Sequence, residues 1–126
     1  MYRLSARSLT KLSGVHPDLV KCVLRAIQLT TVDFSVTEGV RTLARQKYLF
    51  SVGKSRTMNS RHLTGHAVDL APWVNGTIDW DSPAGYTGVS TAMKQAAREF
   101  RIPVEWGFDL WKWDKPHYQL RLKEYS

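Results

Sequence analysis

Two histidines and one aspartate, in separate segments, are the side chains of this sequence best suited to chemistry. His62 and Asp69 lie on either side of a glycine turn in the segment 60–69, and His117 begins a later strand-like segment. Two imidazoles and one carboxylate form a ligand set that suits a catalytic zinc ion with one position left open for water. Asp69 also lies in an apolar run, where burying a carboxylate without a partner is costly. The pattern therefore predicts a zinc site.

Two further side chains fit roles beside such a metal. Asp114 precedes His117 by three residues, and from there a carboxylate could take a proton from a zinc-bound water and deliver it to a leaving amine. Arg41 is predicted at a strand-to-helix junction, where side chains often point into a site. It could stabilise an oxyanion or hold a substrate carboxylate, although a solvated arginine is the alternative. These residues together predict a zinc hydrolase.

The spacing of apolar residues predicts the elements that must position these groups. They are a helix over 17–27, a strand over 31–37, a helix over 43–50, a strand over 67–71, a hairpin at Asn75-Gly76, a helix over 87–100, and strands over 102–106 and 117–122. Residues 51–61 and 81–85 are predicted as loops. Because the order lacks regular βαβ alternation, we expect an α+β fold with a small antiparallel sheet packed against about three helices.

Length, charge and cysteine content limit the classes of protein. The 126 residues suit one compact domain over 1–126, and the net charge of +7 favours an anionic partner such as nucleic acid, a cell-wall polymer or a membrane surface. No nucleic-acid-binding motif accompanies the charge, so that partner is not expected. The single cysteine, Cys22, excludes an internal disulfide and is expected to be buried on a helix. No signal peptide is recognised, which predicts synthesis in the cytoplasm.

The motif Ser60-x-His62-x-x-Gly65-x-Ala67-x-Asp69 resembles the signature of the VanX/VanY-like D,D-peptidases. Asp114-x-x-His117 resembles the second motif of the same family, and the likeness extends over roughly residues 35 to 120. Within that family, the chain is most similar to phage endolysins that are L-alanyl-D-glutamate peptidases. Members that are carboxypeptidases commonly have glutamate at the position of Asp114, and the shorter aspartate is typical of the phage endopeptidases.

The resemblance implies a Hedgehog/D,D-peptidase-like fold with one zinc ion on His62, Asp69 and His117. It implies Asp114 as the general base, with the zinc-bound water as nucleophile, and Arg41 and Ser60 lining the substrate site. The substrate would be the peptidoglycan stem peptide, cut between L-Ala and D-Glu. We expect a monomer without a separate wall-binding domain, whose basic surface contacts an anionic wall or membrane. It would be made in the host cytoplasm and would reach periplasmic peptidoglycan after holin-type release.

Two other functions remain compatible with the same residues. A D-alanyl-D-alanine carboxypeptidase would use the same metal site, and it would release free D-Ala from the stem peptide. A non-catalytic cell-wall-binding module would keep the zinc for structure alone.

Overall fold

An antiparallel sheet and five α-helices make up the chain, of which a computed structural model describes residues 1–126. The strands are β1 (Phe34–Glu38), β2 (Ala67–Val74), β3 (Thr77–Ile78), β4 (Val104–Trp106) and β5 (His117–Leu120). The helices are α1 (Ala6–Lys11), α2 (Pro17–Leu29), α3 (Leu43–Ser51), α4 (Pro83–Phe100) and α5 (Gly107–Trp111), and a short 3-10 helix covers Arg61–Thr64. The predicted α+β class is confirmed, with α1 and α5 added to the three predicted helices.

The order of the strands is β1-β2-β5-β4, and β3 pairs with the far end of β2. In the antiparallel pair of β2 and β5, Asp69 lies directly opposite His117. Glu38 of β1 lies opposite Asp69 on its other side. Residues directly opposite one another project from the same face of a sheet and have Cβ atoms about 4.5–5.5 Å apart. The strand register therefore places Asp69 and His117 side by side.

Alternation along β2 and β5 separates the core from the functional face. Val68, Leu70, Tyr118 and Leu120 belong to the buried apolar cluster. The residues between them in sequence project to the opposite face, because successive side chains of a strand alternate. One face of the sheet thus packs on the core while the other is free to present polar groups.

Helices α2 and α4 cover the apolar face of the sheet. Their buried positions recur every three or four residues, which aligns them along one side of each helix. On α2 these are Leu19, Cys22, Val23, Ala26 and Ile27, and on α4 they include Tyr86, Val89, Met93 and Ala96. Cys22 is fully buried as expected, and burial raises the pKa of its thiol to about 11. Cys22 therefore serves to pack the apolar core.

The prediction of a loop over 81–85 is wrong, because α4 already begins at Pro83. Ser82 caps the helix, its Oγ accepting a hydrogen bond from the backbone N–H of Gly85 at 3.0 Å. Proline is favoured at the first helical position, where its missing N–H has no partner to lose. The helix therefore begins at the capping residues, four positions before Thr87, where the spacing of apolar residues predicted its start.

The hairpin predicted at Asn75-Gly76 is present between β2 and β3. Both turn residues have positive φ, 54° for Asn75 and 82° for Gly76, as a type I′ turn requires. None of the helices combines the length and the apolar character that crossing a membrane demands.

Candidate metal centre

Three side chains that are distant in sequence converge on the polar face of the sheet. His62 Nε2 lies 3.2 Å from Asp69 Oδ1 and 3.2 Å from His117 Nδ1. His117 Nδ1 lies 3.5 Å from Asp69 Oδ1. His62 and His117 are buried, whereas Asp69 is partly accessible. The structure thus brings together the three residues that the sequence predicts as metal ligands.

The triangle formed by these atoms fits a tetrahedral zinc ion. Zinc bonds to nitrogen and carboxylate oxygen are about 2.0–2.1 Å long, so neighbouring ligand atoms of a regular tetrahedron are about 3.3–3.4 Å apart. The three observed separations are 3.2, 3.2 and 3.5 Å. Two neutral imidazoles and a carboxylate also supply the donor types that zinc prefers. Three protein ligands leave one tetrahedral position for water or substrate.

Hydrogen bonds on the far side of each ring select the tautomers. His62 Nδ1 donates to the carbonyl oxygen of Gly39 at 2.9 Å, which leaves Nε2 as the free nitrogen. His117 Nε2 donates to Gln119 Oε1 at 2.9 Å, which leaves Nδ1 free. The amide of Gln119 in turn donates to Glu105 Oε1 at 3.3 Å. Such outer partners fix both the orientation and the tautomer of a ligating histidine.

A short 3-10 helix presents His62. Ser60 caps it, its Oγ accepting a hydrogen bond from the backbone N–H of His62 at 3.2 Å. Gly65 ends it with a φ of 77°, and a Cβ there would lie 2.6 Å from the carbonyl oxygen of Gly14. The turn therefore requires glycine, as its place before the strand predicts. Ser60 also lines the cleft, and its predicted contact with substrate stays a prediction.

The electrostatics of the centre favour a cation between the ligands. Burial alone would raise the pKa of Asp69, but the neighbouring imidazoles of His62 and His117 outweigh it and hold that pKa well below its usual range. Burial would likewise lower the pKa of His117, but the neighbouring Asp69 carboxylate raises that pKa above the ordinary value. The Asp69 carboxylate thus stays ionised and able to bind a positive charge.

Asp114 lies in the loop between α5 and β5 and lines the same cleft as the three converging residues. Trp106 Nε1 holds this loop by donating to the carbonyl oxygen of Lys115 at 2.6 Å. Burial raises the pKa of the Asp114 carboxyl, and the negative charge of Asp69 raises it further. The cationic groups nearby lower this pKa, but the net shift is upward. A carboxylate with a raised pKa is a better proton acceptor, which suits the predicted general base.

Gly107 allows this loop to pack against the start of α5. A Cβ at Gly107 would lie 2.5 Å from the carbonyl oxygen of Asp114 and 2.9 Å from the Cβ of His117. We expect Gly107→Ala to displace both residues and to lower kcat by about 100-fold, the scale of a 1 Å misplacement. Steady-state kinetics on the stem-peptide substrate that the sequence resemblance implies would measure this.

Gly88→Ala is the matched control for this substitution. Gly88 lies on α4 and outside the cleft, and a Cβ there would lie 2.6 Å from Cγ2 of Val32. Both variants should lower the melting temperature, but only Gly107→Ala should lower kcat. Equal kcat in the two variants would show that the close approach at Gly107 has no part in placing Asp114.

Arg41 is buried beside the centre, with each guanidinium nitrogen engaged by the protein. Nε and Nη2 donate to the two carboxylate oxygens of Glu38 at 2.7 and 2.9 Å, and Nη1 donates to Gln46 Oε1 at 2.7 Å. Nη2 also lies 3.7 Å from Asp69 Oδ2. These contacts orient Arg41 and place its charge beside Asp69. The predicted role in holding substrate or an oxyanion stays a prediction.

The cleft over the centre has a volume of about 950 Å³ and is lined by further groups beyond the predicted site residues. Gln119 is one of these groups. The sequence could have indicated it, because Gln119 follows His117 by two residues and therefore lies on the same face of β5. Cationic side chains and tryptophans also line the cleft, namely Arg45, Lys54, Arg56, Trp80, Trp111 and Trp113. His66 lies outside it, hydrogen-bonded to Thr64 Oγ1 at 2.7 Å.

Comparison with known proteins identifies relatives across the whole chain. A family model described as phage L-alanyl-D-glutamate peptidase matches residues 1–123. The L-alanyl-D-glutamate peptidase of Escherichia phage T5 is 34% identical over 111 residues, which cover 86% of this chain and 81% of that protein. The enzyme of the same name from Listeria phage A118 is 29% identical over 127 residues, covering 99% of this chain but only 43% of the relative.

Two solved structures share the fold. The crystal structure of the Serratia marcescens L-Ala D-Glu endopeptidase ChiX matches with a TM-score of 0.89 and 44% identity, covering 98% of this chain and 93% of that one. The vancomycin-resistance D,D-dipeptidase VanXYg, solved with a D-Ala-D-Ala phosphinate analogue, matches with a TM-score of 0.55 and 16% identity, covering 84% and 50%. The second likeness is one of fold alone.

Proposed function

This chain belongs to the phage L-alanyl-D-glutamate peptidase family, and on that premise we propose that it is a zinc-dependent endopeptidase of peptidoglycan. The bond it cuts is the amide between L-Ala and D-Glu of the stem peptide, which is the specificity named for its relatives. The convergence of His62 Nε2, Asp69 Oδ1 and His117 Nδ1 at the cleft carries the proposal. These three side chains would hold one zinc ion.

A zinc ion held by these residues would supply a water of pKa about 7 and would polarise the scissile carbonyl. Asp114 accepts a proton from the attacking water as its oxygen bonds to the carbonyl carbon of L-Ala. Asp114 then delivers that proton to the amide nitrogen of D-Glu as the C–N bond breaks. The products are a carboxylic acid, which keeps the second proton of the water, and an amine, and at neutral pH that second proton passes to the amine to give carboxylate and ammonium. Its place in the cleft and its raised pKa support this role.

Arg41 and Ser60 complete the proposed substrate site. The buried Arg41 guanidinium adds positive charge beside Asp69, where it favours negative charge developing on the carbonyl oxygen. Ser60 lines the cleft next to His62 and offers its hydroxyl proton to substrate, because its oxygen already accepts from the backbone. The positions of both residues beside the three converging side chains support these assignments.

Digestion of purified peptidoglycan tests the proposed bond. The zinc-loaded protein should generate new amino-terminal D-Glu and leave L-Ala on the muramic acid, as seen by mass spectrometry of the fragments. Release of free D-Ala instead would identify the D-alanyl-D-alanine carboxypeptidase. Wall binding with zinc bound and no new termini would identify the non-catalytic module.

We also propose that the protein acts in host lysis as a monomer and a single catalytic domain over 1–126. Its site acts on peptidoglycan outside the inner membrane, so a protein made in the host cytoplasm needs holin-type release. The net charge of +7 favours contact with the anionic wall or membrane surface. Cells making this protein alone should stay intact and should lyse once the inner membrane is permeabilised; lysis without permeabilisation would contradict the dependence on release.

A further inference from the structure

We propose that Trp111 and Trp113 form a platform that stacks against the muramic acid sugar carrying the stem peptide. This inference rests on the proposed function, because it concerns the part of the substrate next to the scissile bond. The indole side chains are each 44% exposed although they line a cleft. Exposed aromatic groups gathered at one place mark a binding surface more often than chance exposure does.

The chemistry of the substrate places a sugar near the metal centre. In peptidoglycan, the amino group of L-Ala is joined through a lactyl group to the ring of N-acetylmuramic acid. Only L-Ala and the lactyl group therefore separate the sugar from the carbonyl that is attacked. Two such units span roughly 7 Å when extended. An enzyme that cuts after this L-Ala while the stem peptide is attached to the glycan must accommodate the sugar beside its catalytic centre.

Trp111 lies within that distance of a proposed metal ligand. Its ring centroid is 5.4 Å from the ring of His117, and the two planes are inclined by 49°. Trp113 lies next to Trp111, with its centroid 6.3 Å from that of Trp111 and an angle of 31° between the rings. The platform thus begins at a proposed metal ligand and lines the cleft, within reach of a sugar tethered this close to the scissile bond.

Backbone and side-chain contacts hold the platform in place. Trp111 is the last residue of α5, and Lys112 follows in the left-handed region with a φ of 67°, which turns the chain so that Trp113 lies beside it. The guanidinium of Arg56 lies 4.3 Å from the ring centre of Trp113 and joins the loop before the 3-10 helix to the platform. A rigid indole loses little entropy on binding and offers a large apolar face to the C–H groups of a pyranose ring.

The experiment compares two substrates that differ only in the sugar. One is a disaccharide-peptide in which the stem peptide is attached to muramic acid, and the other is the free peptide beginning L-Ala-D-Glu. The measured quantity is the ratio of kcat/KM for the disaccharide-peptide to that for the free peptide. Wild type should favour the disaccharide-peptide by about tenfold, the scale of one stacking contact, and Trp111→Ala should bring the ratio close to one.

Two variants control for structural effects. Trp113→Ala tests the platform further from His117 and should also lower the ratio. Trp73→Ala removes an indole that is 39% exposed and donates to Ser35 Oγ outside the cleft, and it should keep the wild-type ratio. A wild-type ratio near one, or an equal loss on both substrates in both platform variants, would overturn the proposal.

A binding measurement separates this proposal from the proposed function. The muramic disaccharide without peptide is titrated into wild type and Trp111→Ala while tryptophan fluorescence or NMR shifts are followed. Saturable binding that Trp111→Ala weakens supports the platform even if neither peptide is cut between L-Ala and D-Glu. Absence of binding to wild type, together with cleavage of both peptides at equal rates, supports the proposed function and rejects the platform.

Discussion

Replacing Asp114 by asparagine should lower kcat for peptidoglycan hydrolysis by about 10²- to 10⁴-fold, the contribution of a positioned general base. Asparagine has nearly the same shape but cannot accept a proton from the attacking water. Because Asp114 is not among the three converging side chains, zinc should stay bound at one ion per chain. Steady-state kinetics and metal analysis of the same preparation measure both quantities.

Asp109→Asn is the matched control for this substitution. Asp109 also lies in the region of α5, but its carboxylate is exposed, pairs with Lys94 at 2.7 Å and does not line the cleft. That variant should keep the wild-type kcat. If Asp114→Asn retained full turnover with zinc bound, proton transfer would belong to another group, and the partly buried Glu38 would be the next candidate in the cleft.

Replacing the proposed zinc ligand Asp69 should strongly weaken zinc binding. Asp69→Asn keeps the shape of the side chain but removes the charge that the two imidazoles stabilise. We expect zinc affinity to fall by more than about 100-fold, because even outer partners of ligands cost 10- to 100-fold. Activity should become undetectable without excess zinc. Competition with a zinc chelator measures the affinity, and activity after chelation measures the dependence.

Gln119→Ala provides a graded comparison. It removes the acceptor that orients the His117 ring but leaves all three converging atoms, so zinc affinity should fall by about 10- to 100-fold, less than in Asp69→Asn.

Zinc at 100 times its dissociation constant should also stabilise wild type by about 2.7 kcal/mol, which raises the melting temperature by roughly 10 °C. Undiminished hydrolysis by a metal-stripped sample would rule out the zinc mechanism.

The parts of the fold that could be predicted are those with a local cause. The apolar faces of α2 and α4 follow from spacings of three and four residues, and the Asn75-Gly76 hairpin follows from two residues that tolerate positive φ. The start of α4 was missed although Ser82 and Pro83 carried a capping signal. Helix α5 was missed because its five residues, 107–111, are too short to show a helical period.

The three proposed ligands of the candidate site and their convergence were predicted, but the hydrogen bonds that orient them were not. His62, Asp69 and His117 stood out because imidazoles and a carboxylate in strand-like runs need partners. The engagement of Arg41 with Glu38 and Gln46 was not foreseen, since a basic sequence does not distinguish a buried arginine from a solvated one. Such pairing depends on where three separate segments meet.

The sequence by itself determined the secondary-structure periods, the α+β class and the kinds of ligand available, because each depends on residues close together in the chain. Only the tertiary structure decided that Asp69 lies opposite His117 and that Gly39 and Gln119 select the two tautomers. It also placed Trp111 against His117 at the cleft. Strand register and hydrogen-bond partners between distant segments arise from packing the whole core, which no local pattern encodes.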